Sequence, residues 1–152
     1  MKIAEIERLA DLKGMIGQEI AVSDWVTVTQ ERINQFAEAT GDFQWIHLDV
    51  EKAKNSPFKG TIAHGFLTLS MLPLFGGQCI KMKSQRMGVN YGLNKVRFLT
   101  PVPAGARLRC RYSIKEVEEI SGGFQITMVA TIELEGSDKP ACVAETISRR
   151  YE

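Results

Sequence analysis

The chain has 152 residues, 44% of them hydrophobic and 24% charged, which gives room for one domain over residues 1–152 with a real core. A formal net charge of +1 supplies no field that would draw the whole molecule to nucleic acid or an anionic membrane. The opening MKIAEIERLADLKG lacks the apolar stretch of a signal peptide, and no apolar run approaches the roughly 20 residues that cross a bilayer, so a soluble cytoplasmic protein is expected.

Ile3, Ile6, Leu9 and Ala10 recur at helical spacing before Gly14, which predicts a short amphipathic N-terminal helix. Ile20, Val22, Trp25, Val26 and Val28 predict a strand from Glu19 to Val28, interrupted by a turn or bulge at Ser23–Asp24. Thr29 offers an N-cap, Ile33, Phe36 and Ala37 share a helix face, and Gly41 suits the left-handed residue that ends a helix. The stretch Asp42 to His47 is irregular, and Asp49 can cap a short helix from Val50 to Asn55. Gly65 to Phe75 is apolar nearly all round and reads as a buried helix, with Pro73 kinking or ending it and Gly76–Gly77 breaking it.

After that the period changes from 3.6 to 2. Val89 to Leu99 reads as a strand ended by Thr100 to Gly105. Leu108, Cys110, Tyr112 and Ile114 alternate with Arg107, Arg109, Arg111 and Lys115. Phe124, Ile126, Met128, Ala130, Ile132 and Leu134 do the same, across a hairpin signal at Ser121–Gly122–Gly123. A last strand runs from Pro140 through Ile147. Cys79, Cys110 and Cys142 are scattered, odd in number and without ligand spacing, so they read as reduced packing residues.

Helices and long antiparallel strands are segregated, which argues α+β rather than alternating βαβ. A sheet with one apolar face must cover it, and the Gly65–Phe75 helix is the natural cover. A long antiparallel sheet wrapped round a central helix is the hot-dog architecture, although the pattern alone allows other α+β folds.

The only two histidines, His47 and His64, fall in one short irregular region with Asp42. A carboxylate at a helix exit and an imidazole five residues on can converge on one water, the carboxylate taking a proton and the imidazole orienting the water or returning the proton. Each residue also has a plainer reading. Asp42 after Gly41 is common turn chemistry, His47 can be a structural histidine, and His64 can cap or pack against the next helix. Gly65 opens the buried helix, whose first N–H groups lack intrahelical partners and could polarise a thioester carbonyl, or it can be a simple tight turn. A metal cluster of Asp42, His47 and Asp49 is set aside, because Asp49 is better used as a cap and no third nitrogen or sulfur ligand is near in sequence.

Phe36 to Asp42, then His47, Ala53 and His64 to Ser70, resemble the MaoC-like R-specific enoyl-CoA hydratases, or hydratase 2, and within them the NodN-like single-hot-dog members. Asn90 to Phe98 and Pro101–Val–Pro103 extend the likeness over most of the chain. The resemblance implies a homodimer of hot dogs that reversibly hydrates trans-2-enoyl-CoA to (3R)-3-hydroxyacyl-CoA. It needs no cofactor, coenzyme A arriving as part of the substrate. It places the catalytic pair on Asp42 and His47, the oxyanion-hole amide on Gly65, and a residue supporting the catalytic loop on Ser70, whose plainer role is a bond back to its own helix. Family members often carry Asn-Pro where this chain has Gln44–Trp45. Trp45 could narrow the acyl tunnel, cover the site or pack at a subunit boundary, and Phe66 is a further candidate for the substrate. Lys95 and Arg97 are candidate phosphate contacts, whereas Arg107, Arg109 and Arg111 read first as a solvated sheet face. The competing functions are a hot-dog thioesterase, an acyl-carrier-protein dehydratase, and a non-catalytic acyl-CoA-binding module.

Overall fold

The computed structural model covers Met1–Glu152. Its centre is an antiparallel sheet built from the segments of period 2. Strands β2 (Glu19–Val22), β5 (Met87–Phe98), β6 (Arg107–Ile120), β7 (Gly123–Leu134) and β8 (Cys142–Tyr151) lie in the order β2-β6-β7-β8-β5, and the short β3 (Val26–Thr27) also pairs with β6. The break between β2 and β3 falls at Ser23–Asp24, as the sequence predicts. Ser23 is buried there, its hydroxyl accepting from the Cys110 N–H at 2.9 Å.

The alternation in β6 and β7 sorts the sheet's two faces. Leu108, Cys110, Tyr112, Ile114, Ile126, Met128, Ala130 and Ile132 are buried. The inner face packs against helices α4 (Gly65–Ser70) and α5 (Leu72–Cys79), through Leu67, Met71 and Phe75. This is the hot-dog arrangement, α+β in class. On the outer face Arg107 pairs with Glu135, Arg109 with Glu133, and Arg111 with both Glu133 and Glu19. All three guanidiniums are thus paired with carboxylates on the solvated face.

The segment Gln30–Thr40 forms helix α1, with the Thr29 hydroxyl accepting from the Arg32 N–H and Gly41 at φ 81° closing the C-terminus. Two single turns follow, α2 (Trp45–Leu48) and α3 (Val50–Ala53), the second capped by Asp49.

Three expectations need correction. The N-terminus is not a helix. Ala4–Ile6 is a strand, β1, and Leu9–Met15 is a 3-10 helix. β1 pairs in parallel with an unanticipated strand, β4 (Ile80–Met82), so tertiary pairing overrides the local helical spacing. The central helix is interrupted, as Pro73 predicts, with the break at Met71 and Pro73 in the first turn of α5, where its missing N–H costs nothing. Gly76–Gly77 do not interrupt it, because Tyr112 packs at Gly76 and its hydroxyl donates to the Leu72 carbonyl at 2.7 Å. The helix pair is also not buried all round: Phe66 is 68% exposed and Leu74 39%.

Candidate active site

The site forms where the α1 exit, the loop into α4 and the β5–β6 connection meet. Gly41 turns the chain out of α1, and Asp42 follows with its carboxylate accepting from the Gln44 N–H at 3.3 Å. Asp42 is exposed and His47 is buried. The His47 Nδ1 lies 2.7 Å from the Ile62 carbonyl. A carbonyl can only accept, so Nδ1 carries the proton and the neutral ring keeps its lone pair on Nε2. Gln30 fixes the same turn from behind, donating to the His47 carbonyl at 2.8 Å while it accepts from Thr61.

His64 completes the cluster. Its ring stacks on His47, and its Nε2 lies 3.1 Å from the Asp42 carbonyl, to which it donates. That leaves the buried Nδ1 without a partner. A carboxylate oxygen of Asp42 and one ring nitrogen each of His47 and His64 lie within 4.8 Å of one another. The sequence alone does not show this second nitrogen, because the loop after His47 must fold back to bring it in. Asp49 takes no part in the cluster, since its carboxylate caps α3.

Beside His47 is a cleft of about 300 Å³, lined by Phe58, Ile62, Gly65, Thr68, Phe98 and Thr100 among others. The Gly65 N–H has no backbone carbonyl partner. The space a side chain would fill at Gly65 is taken by the Phe98 ring, 3.2 Å from where a Cβ would stand. The glycine therefore admits Phe98, rather than leaving the backbone open on that side. Thr100 also lines the cleft, and its Oγ1 is buried without a hydrogen-bond partner. Thr68, Phe98 and Thr100 were not anticipated. Thr68 lies on α4 itself, whereas Phe98 and Thr100 arrive through long-range pairing, Phe98 with Cys142, Ala63 donating to the Val102 carbonyl and Ile62 bridging to Pro103.

The remaining candidates lie elsewhere. The Ser70 hydroxyl donates to the Phe66 carbonyl at 2.6 Å, so it bonds to its own helix and does not reach the Asp42–His47 loop. Trp45 is held under the Lys52 ammonium, 4.4 Å from its ring, and does not line the cleft. Phe66 stands edge-on to Phe98, ring centroids 6.0 Å apart. Lys95 and Arg97 are exposed on β5, away from the cleft lining, and Arg97 donates to the Val96 carbonyl of its own strand.

Residues 11–136 match the MaoC like domain. The chain belongs to the MaoC-like family. It is 53% identical over 144 residues to 3-hydroxyacyl-thioester dehydratase Z of Mycobacterium tuberculosis, covering 94% of this chain and 95% of that one. It is 46% identical to nodulation protein N of Rhizobium leguminosarum bv. viciae, covering 92% and 89%, which places it with the NodN-like MaoC proteins. In structure it is similar to the unliganded R-hydratase PhaJ1 from Pseudomonas aeruginosa, with a TM-score of 0.77, 21% identity and coverage of 98% and 88%. It also resembles the A. caviae (R)-hydratase involved in PHA biosynthesis, at TM-score 0.71, 22% identity and coverage of 88% and 94%. These two structures establish the hot-dog fold of the MaoC-like chain.

Proposed function

We propose that this MaoC-like protein is a hydratase/dehydratase of acyl thioesters, and more finely an R-specific enoyl-CoA hydratase that converts trans-2-enoyl-CoA and water to (3R)-3-hydroxyacyl-CoA. One observation carries the reading. The His47 Nδ1–H is committed to the Ile62 carbonyl, which leaves Nε2 as the ring's acceptor, while His47 lines the cleft and one of its ring nitrogens lies within 4.8 Å of an Asp42 carboxylate oxygen. Groups separated by up to 4.8 Å can share one water through two bent hydrogen bonds of about 2.8 Å each. The 53% identical relative, whose name gives 3-hydroxyacyl-thioester dehydration, supports the same reaction class.

In this reading the water sits between Asp42 and His47. Asp42 takes one of its protons as the oxygen bonds to C3. The C2–C3 π electrons move through C2 to the thioester oxygen, which the Gly65 N–H holds as it gains charge. The proton then returns to C2 from the same face, giving syn addition, and the C=O re-forms. Thr100 Oγ1, buried and unpartnered in the cleft, is a second group available to the thioester head. The reading uses no metal and no redox cofactor, and coenzyme A enters only as part of the substrate.

The deciding experiment follows enoyl absorbance and free thiol together, with crotonyl-CoA and longer trans-2-enoyl-CoA thioesters, and determines product chirality. Loss of enoyl absorbance with a 3R product and no thiol release is the expected result. Thiol release without hydration would replace the reading with a thioesterase, and binding without either change with a non-catalytic module. The same assay on acyl-carrier-protein thioesters ranks the two carriers.

A further inference from the structure

A second and larger cavity, of about 860 Å³, lies between α4–α5 and the inner faces of β5 and β8. Both it and the candidate cleft border α4. Gly65, the first residue of that helix, lines the cleft, while Leu69 and Ser70 at its end line the larger cavity. Five helical residues advance about 7.5 Å. Near α4 the larger cavity's wall is apolar, with Leu69, Leu72, Pro73 and Leu93.

Its other end is different. The inner positions of β8 run Cys142, Ala144, Thr146, Ser148, Arg150, apolar first and then polar, and the last three line the cavity. Arg150 faces inward opposite Phe124 on β7 and Gly88 on β5, and its guanidinium lies over Gly88, where a Cβ would meet Nη1 at 2.8 Å. Nε donates to the Ser148 hydroxyl and Nη1 to the Gln85 side-chain oxygen, both at 3.0 Å. A guanidinium has five N–H donors, so donors remain. No carboxylate pairs with Arg150, in contrast to Arg8, Arg107, Arg109 and Arg111. Burial pulls its pKa below the usual arginine range, opposed only by Tyr112. A half-buried cation without a counter-ion is costly, and a planar carboxylate is the group that its fork matches in two hydrogen bonds.

We propose that the larger cavity receives the acyl chain and that Arg150 binds a carboxylate at the chain's far end, so that the substrates include thioesters of dicarboxylic acids. This rests on the thioester reading for the other end of the substrate.

The test compares pairs of trans-2-enoyl-CoA thioesters of equal chain length, one ending in methyl and one in carboxylate, over a series of lengths. At the best-fitting length the wild type turns over the carboxylate-ended member at least as well as its methyl-ended partner. Arg150→Met lowers the carboxylate-to-methyl ratio of kcat/KM by about tenfold or more, the penalty of a lost charged hydrogen-bonding partner, and Arg150→Lys restores part of it. A wild type that hydrates methyl-ended chains but excludes carboxylate-ended ones at every length overturns the proposal, without needing any variant to fold. So does an Arg150→Met protein, folded by circular dichroism, with an unchanged ratio. Should neither member be hydrated, the hydratase reading fails, and calorimetric binding of the two saturated thioesters still decides the role of Arg150. Tighter, Arg150-dependent binding of the carboxylate-ended thioester supports it, and equal binding overturns it.

Discussion

His47 stacks on His64 with ring centroids 3.9 Å apart and planes inclined by 25°. Phe36 closes on His64 from another side, at 4.9 Å between centroids. Each imidazole also spends one N–H on a backbone carbonyl, His47 on Ile62 and His64 on Asp42. The stacked rings therefore hold both members of the proposed acid–base pair.

Asp42→Asn keeps the shape of the loop and removes the proton acceptor, while His47→Ala removes the free Nε2. Either change is expected to lower crotonyl-CoA hydration by at least about 10²-fold, as for loss of a general acid–base group. Steady-state kinetics on variants with native circular dichroism provide the check. Near wild-type turnover in either one would remove the pair from the mechanism.

His64 is expected to act as a positioning residue through Asp42 and His47. His64→Ala opens a void under His47 and frees the Asp42 carbonyl. It should cost about 2–4 kcal/mol of stability by the measure of large-to-small core changes, and it should lower kcat more than it raises KM. His64→Gln can still donate to the Asp42 carbonyl and should recover part of kcat. A purely packing role predicts loss of stability with kcat intact, a pattern that denaturant melts and saturation kinetics distinguish.

The first half of this cluster was legible in the sequence because it is local. Thr29, Gly41 and the five-residue step from Asp42 to His47 depend on caps and spacing within one turn-rich segment. His64 was not legible as a partner, because its approach needs the loop from Asp49 to Ala63 to close through the Ile62 N–H donating to the Ile46 carbonyl. Thr100 and Phe98 were hidden for the same reason: Phe98 pairs with Cys142 on β8, and the chain just after Thr100 is tied to Ala63 through the Val102 carbonyl. The sheet was legible throughout β6 and β7, where each strand is long enough for its alternation to be unambiguous. The N-terminus misled because Ile3, Ile6 and Leu9 fit a helix face, yet Ala4 and Ile6 bury themselves beside β4, a pairing that no local pattern encodes.

β5 stands at the end of the sheet with Val89, Tyr91 and Leu93 between 45% and 56% exposed. An apolar edge strand of twelve residues is a template for another strand. The homodimer that the family resemblance implies is expected to join two copies there. Leu93→Lys combined with Val89→Lys should shift the protein from dimer to monomer in analytical ultracentrifugation, and an unchanged mass would move the interface elsewhere.

Glu133 links Arg109 and Arg111 on the outer face. Partial burial works to raise its carboxyl pKa, but the hydrogen bonds and charges of the two arginines outweigh that and hold it below the usual carboxylate range. Its folded pKa is therefore lower than its unfolded one. The stabilisation is complete above the unfolded value of about 4.3, and it is lost as pH falls through the folded value. Glu133→Gln should lower stability by about 1 kcal/mol at pH 7, the upper range for a partly exposed pair, and should flatten the fall in stability between neutral and acid pH. Urea melts at pH 7 and below pH 4 test this, and parallel curves for the two proteins would contradict it.

Gly65 and Phe98 share one space. A Cβ at Gly65 would stand 3.2–3.3 Å from the Phe98 ring, closer than ordinary contact. Phe98 is 44% exposed, so its ring can yield, and it also lines the cleft beside His47. Gly65→Ala should therefore cost little stability, within about 1 kcal/mol once the gain in helix propensity is set against the crowding. Its effect should fall on activity instead, as the displaced ring narrows the cleft where the thioester meets the Gly65 N–H. Phe98→Leu in the same chain gives the alanine room, and the pair should show a coupling energy in kcat/KM of the kind contacting residues display. Additive single effects would mean that the two residues do not compete for this space during turnover.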